Sequence, residues 1–233
     1  MITQMHREYH FRETKVVRDA VIGLADGLTV PFALAAGLSA AVRTTGIIVT
    51  AGLAEIVAGS ISMALGGYLA SKTEVEHYLR EKGREARETK EIPDMEAQEV
   101  VDIFSKYGMS REQVNPILDY FRKNRAQWVN FMMRFELGLD EPDPARARIS
   151  AFTIGSAYAV GGLVPLVPYF FLASVPEALK LSVVITLVAL FIFGFIKGQL
   201  TAVGPLKNAW RTTLIGALAA GAAALIARLV SSV

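Results

Sequence analysis

Polar and apolar positions along this chain separate into long apolar runs and one long charged stretch. Between Asp19 and Arg43 every residue is uncharged except Asp26, and from Gly46 to Ser71 only Glu55 interrupts the run. Helices of roughly 20 residues cross the ~30 Å hydrocarbon layer of a bilayer, and both runs are longer than that. Three further runs follow. Ile149 to Pro176 is free of charge, with Gly161, Gly162, Pro165 and Pro168 breaking its second half. Leu181 to Ile196 lies between Lys180 and Lys197, and Thr212 to Ala227 between Arg211 and Arg228. The last two are short, but the flanking bases can snorkel to the interfaces. The pattern predicts an all-α polytopic membrane protein with five transmembrane helices.

The second span does not stop where its apolar run stops. From Gly46 to Thr89 there is no proline, and helical spacing continues past Lys72 through KTEVEHYLREKGREARET. At 1.5 Å per residue such a helix reaches ~66 Å, about twice the hydrocarbon thickness, which predicts a stalk entering water. Pro93 and Asp94 then open a helix that Gly108 closes, and Ser110 with Gln113 forms a capping box for the next. A third short helix covers Arg125 to Leu137. Val100, Ile103, Phe104, Ile117, Leu118, Phe121, Trp128 and Phe131 recur at helical spacing and suffice for a small helical bundle. Residues 1–18 mix apolar positions with four bases and predict an amphipathic surface helix, a frayed tail being the alternative. The predicted divisions are 1–18 (N-terminal helix), 19–71 (spans one and two), 72–145 (cytosolic stalk and helical metal-binding domain) and 146–233 (spans three to five).

Composition sharpens this division. Of 233 residues 52% are hydrophobic, and mean hydropathy is +0.38, too apolar for an ordinary soluble domain. Charge is segregated: Lys72 to Arg148 holds 16 of the 22 acids and 14 of the 24 bases. The net charge of +2 therefore sums two balanced sets and gives no reason to expect nucleic acid. Short segments predicted inside carry 7 Lys and Arg against 3 outside (Arg43, Lys180, Arg228), which places the N-terminus and the charged domain in the cytosol. Because residues 1–19 are charged throughout, no cleavable signal sequence is expected. With no cysteine, and with His6, His10 and His77 all outside the apolar runs, an intramembrane metal site has only carboxylate, thioether, hydroxyl or backbone oxygen to use.

Asp26 and Glu55 change the reading from architecture to chemistry. A carboxylate at the centre of a span costs at least ~2.5 kcal/mol unless it neutralises or finds a partner, so it marks an ion or proton pathway. Pro31 removes one helical hydrogen bond at the Gly27 carbonyl, clustering an acid, a flexible backbone and a freed carbonyl near Asp26. Ala54, Ala58, Ser62, Gly66 and Ala70 repeat every four residues on the second span, a stripe that allows a second helix close approach. Moving a divalent cation outward against a positive-outside potential costs ~4.6 kcal/mol per 100 mV, so an energy source is required. GGYLASKT lacks the last glycine of a phosphate loop and follows no strand, which removes ATP and leaves proton exchange. Asp26 and Glu55 can bind either metal or protons, and competition for them would couple the two fluxes.

Four stretches, VRDAVIGLADGLTVPFALAAGLS, TAGLAEIVAGSISMALGGYLA, FMMRFELGL and YAVGGLVPLVPY, resemble the vacuolar iron transporter family, and the resemblance extends over nearly the whole chain. It implies export of ferrous iron from the cytosol in exchange for protons by a secondary transporter, not an enzyme. It implies a homodimer whose interface carries the pathway, with Asp26, Glu55, Met63 and Tyr158 lining it. It further implies that Glu85, Glu88, Glu96, Glu99, Met132, Met133 and Glu136 hold metal in the cytosolic domain before transport. No permanently bound cofactor is implied. Fe²⁺ is the expected cargo, and Mn²⁺, Co²⁺, Ni²⁺ and Zn²⁺ fit the same ligand types. The expected setting is a lipid bilayer, a bacterial plasma membrane before a vacuolar one.

Spacing alone is compatible with less. Glu85 and Glu88, like Glu96 and Glu99, share a helical face, yet Arg84 with Glu88 and Arg87 with Glu91 make ordinary i, i+4 pairs on a solvated helix. Met132 and Met133 alone read as core, and Tyr158 reads equally as a packed interfacial hydroxyl or as part of the pathway. Two rivals stand beside the transporter. One is a membrane-anchored metal buffer or sensor. The other is an intramembrane aspartyl protease, but Gly23-Leu24-Ala25-Asp26 lacks its second glycine.

Overall fold

The computed structural model describes residues 15–200 and 204–231. Of the expected N-terminal helix, residues 1–14 lie outside the described residues, and Lys15 to Arg18 form the first turn of a longer helix. Every described element is helical: α1 Lys15–Ala41, α2 Thr45–Glu91, α3 Pro93–Ser105, α4 Arg111–Lys123, α5 Arg125–Phe135, α6 Arg146–Phe171, α7 Val175–Leu200 and α8 Pro205–Ser231. Five of these, α1, α2, α6, α7 and α8, are long and apolar enough to cross a membrane.

The chain divides into two units, one of residues 15–68 with 148–231 and one of residues 69–147, and α2 contributes to both. In the membrane unit small residues set the spacing of the helices. A side chain on Gly27 would overlap the Tyr158 carbonyl and lie 2.8 Å from its Cα, so α1 meets α6 backbone to backbone. Gly161 returns the contact, its absent Cβ falling 3.0 Å from the Leu28 nitrogen. Such close approach maximises dispersion contacts where lipid offers no hydrophobic drive for helix association. Ala35, Ile48, Ile56, Leu166, Tyr169, Val175 and Ala178 fill one buried cluster, and Phe32, Ala36 and Ala220 another.

Helix ends do not coincide with the ends of the apolar runs. Helix α7 begins at Val175 and takes Pro176 into its first turn, where a missing N–H costs nothing. The third span accordingly ends at Phe171, before Pro176, and its helix passes through Pro165 and Pro168. Helix α1 likewise continues through the buried Pro31. Helices α7 and α8 extend past their flanking bases, because charged side chains stop a hydropathy window but not a helix.

The second unit follows its local signals closely. Pro93 occupies the first turn of α3 together with Asp94 and Glu96, whose charge suits the helix N-terminus. Ser110 N–H donates to Gln113 Oε1 at 2.8 Å at the start of α4, and its hydroxyl donates to Glu112. Gly108 (φ +84°) and Gly138 (φ +65°) take the left-handed backbone that other residues avoid. Val100, Val114, Leu118, Phe121, Trp128 and Met132 form its core, with Phe104, Ile117 and Phe131 packed against it.

Candidate metal centre and intramembrane acid site

Glu55 sits on α2 and Tyr158 on α6, and the Tyr158 hydroxyl donates to Glu55 Oε1. Tyr158 is 3% exposed, and its ring lies against Gly59, one turn beyond Glu55, where a Cβ would come within 2.6 Å of Cζ. On its other side the Tyr158 backbone lies against Gly27, next to Asp26 on α1. Two glycines thus pin one tyrosine between the two helices that bring the acids. The Asp26 carboxylate acts electrostatically on the same hydroxyl. Glu55 Oε2 is buried and has no hydrogen-bond partner. Asp26 and Glu55 are both half-buried, as is Met63, two turns past Glu55 on α2.

In the second unit α2 and α3 bring Glu85, Glu88 and Glu96 together, each offering an oxygen within 4.8 Å of the others. Glu85 and Glu96 are 1% and 3% exposed, and the Oε2 atom of each is buried without a hydrogen bond. Burial, then repulsion from Glu99, Glu85, Glu136 and Glu88, pushes the Glu96 carboxyl up to about 7. Burial and then Glu88 raise Glu85 as well, against the pull of Arg84. Glu136 follows α5 and is also raised to about 7, by lost hydration and then by Glu99 and Glu85; because it is exposed, solvent offsets part of that effect. Five carboxylates therefore share one field, an arrangement that a divalent cation would relieve.

The thioethers stand differently. Met132 belongs to the apolar core of the bundle, and Met133 packs with Tyr78 and Val129 beside Leu137 and Leu139. Both are at most 1% exposed. Their place is that of core side chains, although the Met132 carbonyl, accepting from the Glu136 N–H at 3.0 Å, ties the start of the Glu136 turn to this core.

Sequence reasoning passed over Glu81 and Arg84 as parts of the site. Glu81, Glu85 and Glu88 at i, i+4 and i+7 mark one face of α2, a visible signal. Arg84 lies 2.8 Å from Glu81, 3.5 Å from Glu85 and 3.3 Å from Glu88. Asp19, 2% exposed and 4.0 Å from Arg18, is a further buried acid that sequence alone did not distinguish from an interfacial one. Ser39 and Tyr169, whose hydroxyls are 2.9 Å apart, form a polar pair between α1 and α6 with no sequence signal beyond residue type.

The model of the VIT family matches residues 17–228. Vacuolar iron transporter 1 of Tulipa gesneriana is 52% identical over 232 residues, covering 100% of this chain and 94% of its own. Vacuolar iron transporter 1 of Arabidopsis thaliana is 52% identical, covering 97% and 90%. Protein CCC1 of Saccharomyces cerevisiae is 39% identical, covering 91% and 68%.

Proposed function

This chain belongs to the VIT family, and from that membership we propose that it is a secondary transporter moving Fe²⁺ out of the cytosol in exchange for protons. The observation that carries the reading is Glu55, an acid within a membrane span with one oxygen held by Tyr158 and the other buried and unpartnered. A group so placed gains from binding either a proton or a cation. The names of the relatives support iron as cargo.

In this mechanism Glu85, Glu88 and Glu96 capture the ion from the cytosol, with Glu99 and Glu136 adding charge and Met132 and Met133 supporting the bundle beside them. Asp26, Glu55 and Met63 then carry it across, and Tyr158 orients Glu55. Each ion leaving the acids is replaced by protons from the far side. Vacuolar lumen and bacterial exterior both supply them, so the same exchange serves either membrane. The exposed stripe on α2 supports pairing of two copies along that helix.

Proteoliposome flux separates this from a buffer that binds without moving metal. Fe²⁺ uptake that depends on an imposed pH gradient supports transport. Binding with no uptake would select the buffer.

A further inference from the structure

Arg84 contacts more of the acidic face than an i, i+4 pair requires. Its Nη1 lies 2.8 Å from Glu81 Oε2, its Nη2 3.5 Å from Glu85 Oε1 and its Nε 3.3 Å from Glu88 Oε2. All three guanidinium nitrogens are committed to three acids on one face of α2. Two of those acids belong to the group that can converge on a metal, and Glu81 does not.

We propose that Arg84 is a tethered competitor for the incoming ion, occupying Glu85 and Glu88 until a divalent cation displaces it, and so sets the affinity and charge selectivity of the cytosolic site. The inference rests on the reading of Glu85, Glu88 and Glu96 as the metal-holding group. Arg84 leaves Glu85 Oε2 alone, and that atom and Glu96 Oε2 are both buried without hydrogen bonds. An ion can therefore make its first contacts there and complete its shell only as the guanidinium withdraws.

Withdrawal is easy on one side and guided on the other. The Arg84 side chain is 44% exposed, so its head can turn to water with little change in hydration. Glu81, whose side chain is 12% exposed, keeps hold of it, and Glu81 is itself fixed between His77 and Arg80. Glu81 is thus a parking position. Exchange of charge supplies the selectivity. A monovalent ion entering would replace one positive charge by another and gain nothing from the acids. A divalent ion replaces one charge by two, so potassium is excluded while the metal is admitted. The same competition keeps the site weak enough to release its ion.

Anaerobic titration calorimetry of Fe²⁺ into the purified full-length protein tests this. Wild type should bind, and Glu85→Gln with Glu96→Gln should remove the binding. Arg84→Gln should bind about tenfold tighter, as expected for removing one positive charge a few ångströms from a doubly charged ion in a mostly aqueous setting. Its binding should also become sensitive to added KCl beyond the screening seen in wild type, and Arg84→Lys should restore wild-type behaviour in part. Glu81→Gln should weaken binding, since Arg84 then has only Glu85 and Glu88, but should change nothing when added to Arg84→Gln. That opposite sign keeps general damage from imitating the effect. Equal or weaker binding by Arg84→Gln, with the Glu85 and Glu96 losses intact, overturns the role of Arg84 alone. Binding untouched by the Glu85 and Glu96 changes overturns the site and this inference with it.

Discussion

The hydroxyl of Tyr158 on α6 donates to Glu55 Oε1 on α2, leaving the second oxygen of that carboxylate buried and unpartnered. One side chain thus holds an acid in place and leaves its second oxygen open. Replacing Tyr158 by Phe removes the hydrogen bond that positions Glu55, worth ~0.5–3 kcal/mol. Iron flux should fall by about tenfold while binding in the second unit stays unchanged. Gly59→Ala should act through the same contact: its Cβ would displace the ring, destabilising the fold by ~1–3 kcal/mol. Flux and thermal unfolding of the two variants check both effects.

Stability of the metal-free protein should depend on pH with a definite sign. Glu96 and Glu136 are raised to about 7 from 4.5, so ionising them opposes the fold. Their contribution is fully present below about pH 4.5 and is lost as pH rises toward 7 and beyond. Thermal unfolding monitored from pH 5 to pH 8 should show the second unit weakening. Added Fe²⁺ should reverse that loss above pH 7 and have little effect at pH 5, where protons hold the oxygens.

Glu96→Gln should separate stability from binding. It removes one buried charge from a group of mutually repelling carboxylates, so the apo protein at pH 8 should melt at a higher temperature than wild type, while Fe²⁺ affinity drops at least tenfold. Sites built for ligands commonly show this exchange. Differential scanning calorimetry with and without iron measures both sides.

The small-residue face of α2 makes a prediction about assembly. Ser62 and Gly66 are exposed, and nothing lies within 4 Å of where a Gly66 side chain would begin. Because the chain has no cysteine, Ser62→Cys gives a clean background for disulfide trapping. Mild oxidation in membranes should yield a crosslinked dimer on a denaturing gel. A monomer band alone would contradict pairing through this stripe.

Much of this was legible in the residues themselves. Apolar runs gave all five spans, and the helical run past Lys72 anticipated α2 reaching Glu91. Pro93, Gly108 and Ser110 marked the elements of the second unit because each acts through local backbone geometry. Helix ends in the membrane were less legible, since Lys180 and Arg228 end a hydropathy window while their helices run on. Spacing paired Glu85 with Glu88, but only folding sets Glu96 of α3 beside them. Arg84 was legible in principle: its three partners, Glu81, Glu85 and Glu88, all lie within four residues of it on α2, but pairing it only with Glu88 hid the other two contacts. Tyr158 could not be joined to Glu55 by any pattern, being 103 residues distant.

The claim that Asp26 and Glu55 carry iron and protons by turns is tested most directly by measuring both fluxes at once. Purified protein would be reconstituted into vesicles holding a pH-sensitive dye, and Fe²⁺ would be added anaerobically outside. Wild type should show iron entry accompanied by proton exit, and Asp26→Asn and Glu55→Gln should abolish both while the second unit still binds iron. Iron entry that persists in either variant, or that proceeds in wild type without proton movement, would contradict the account.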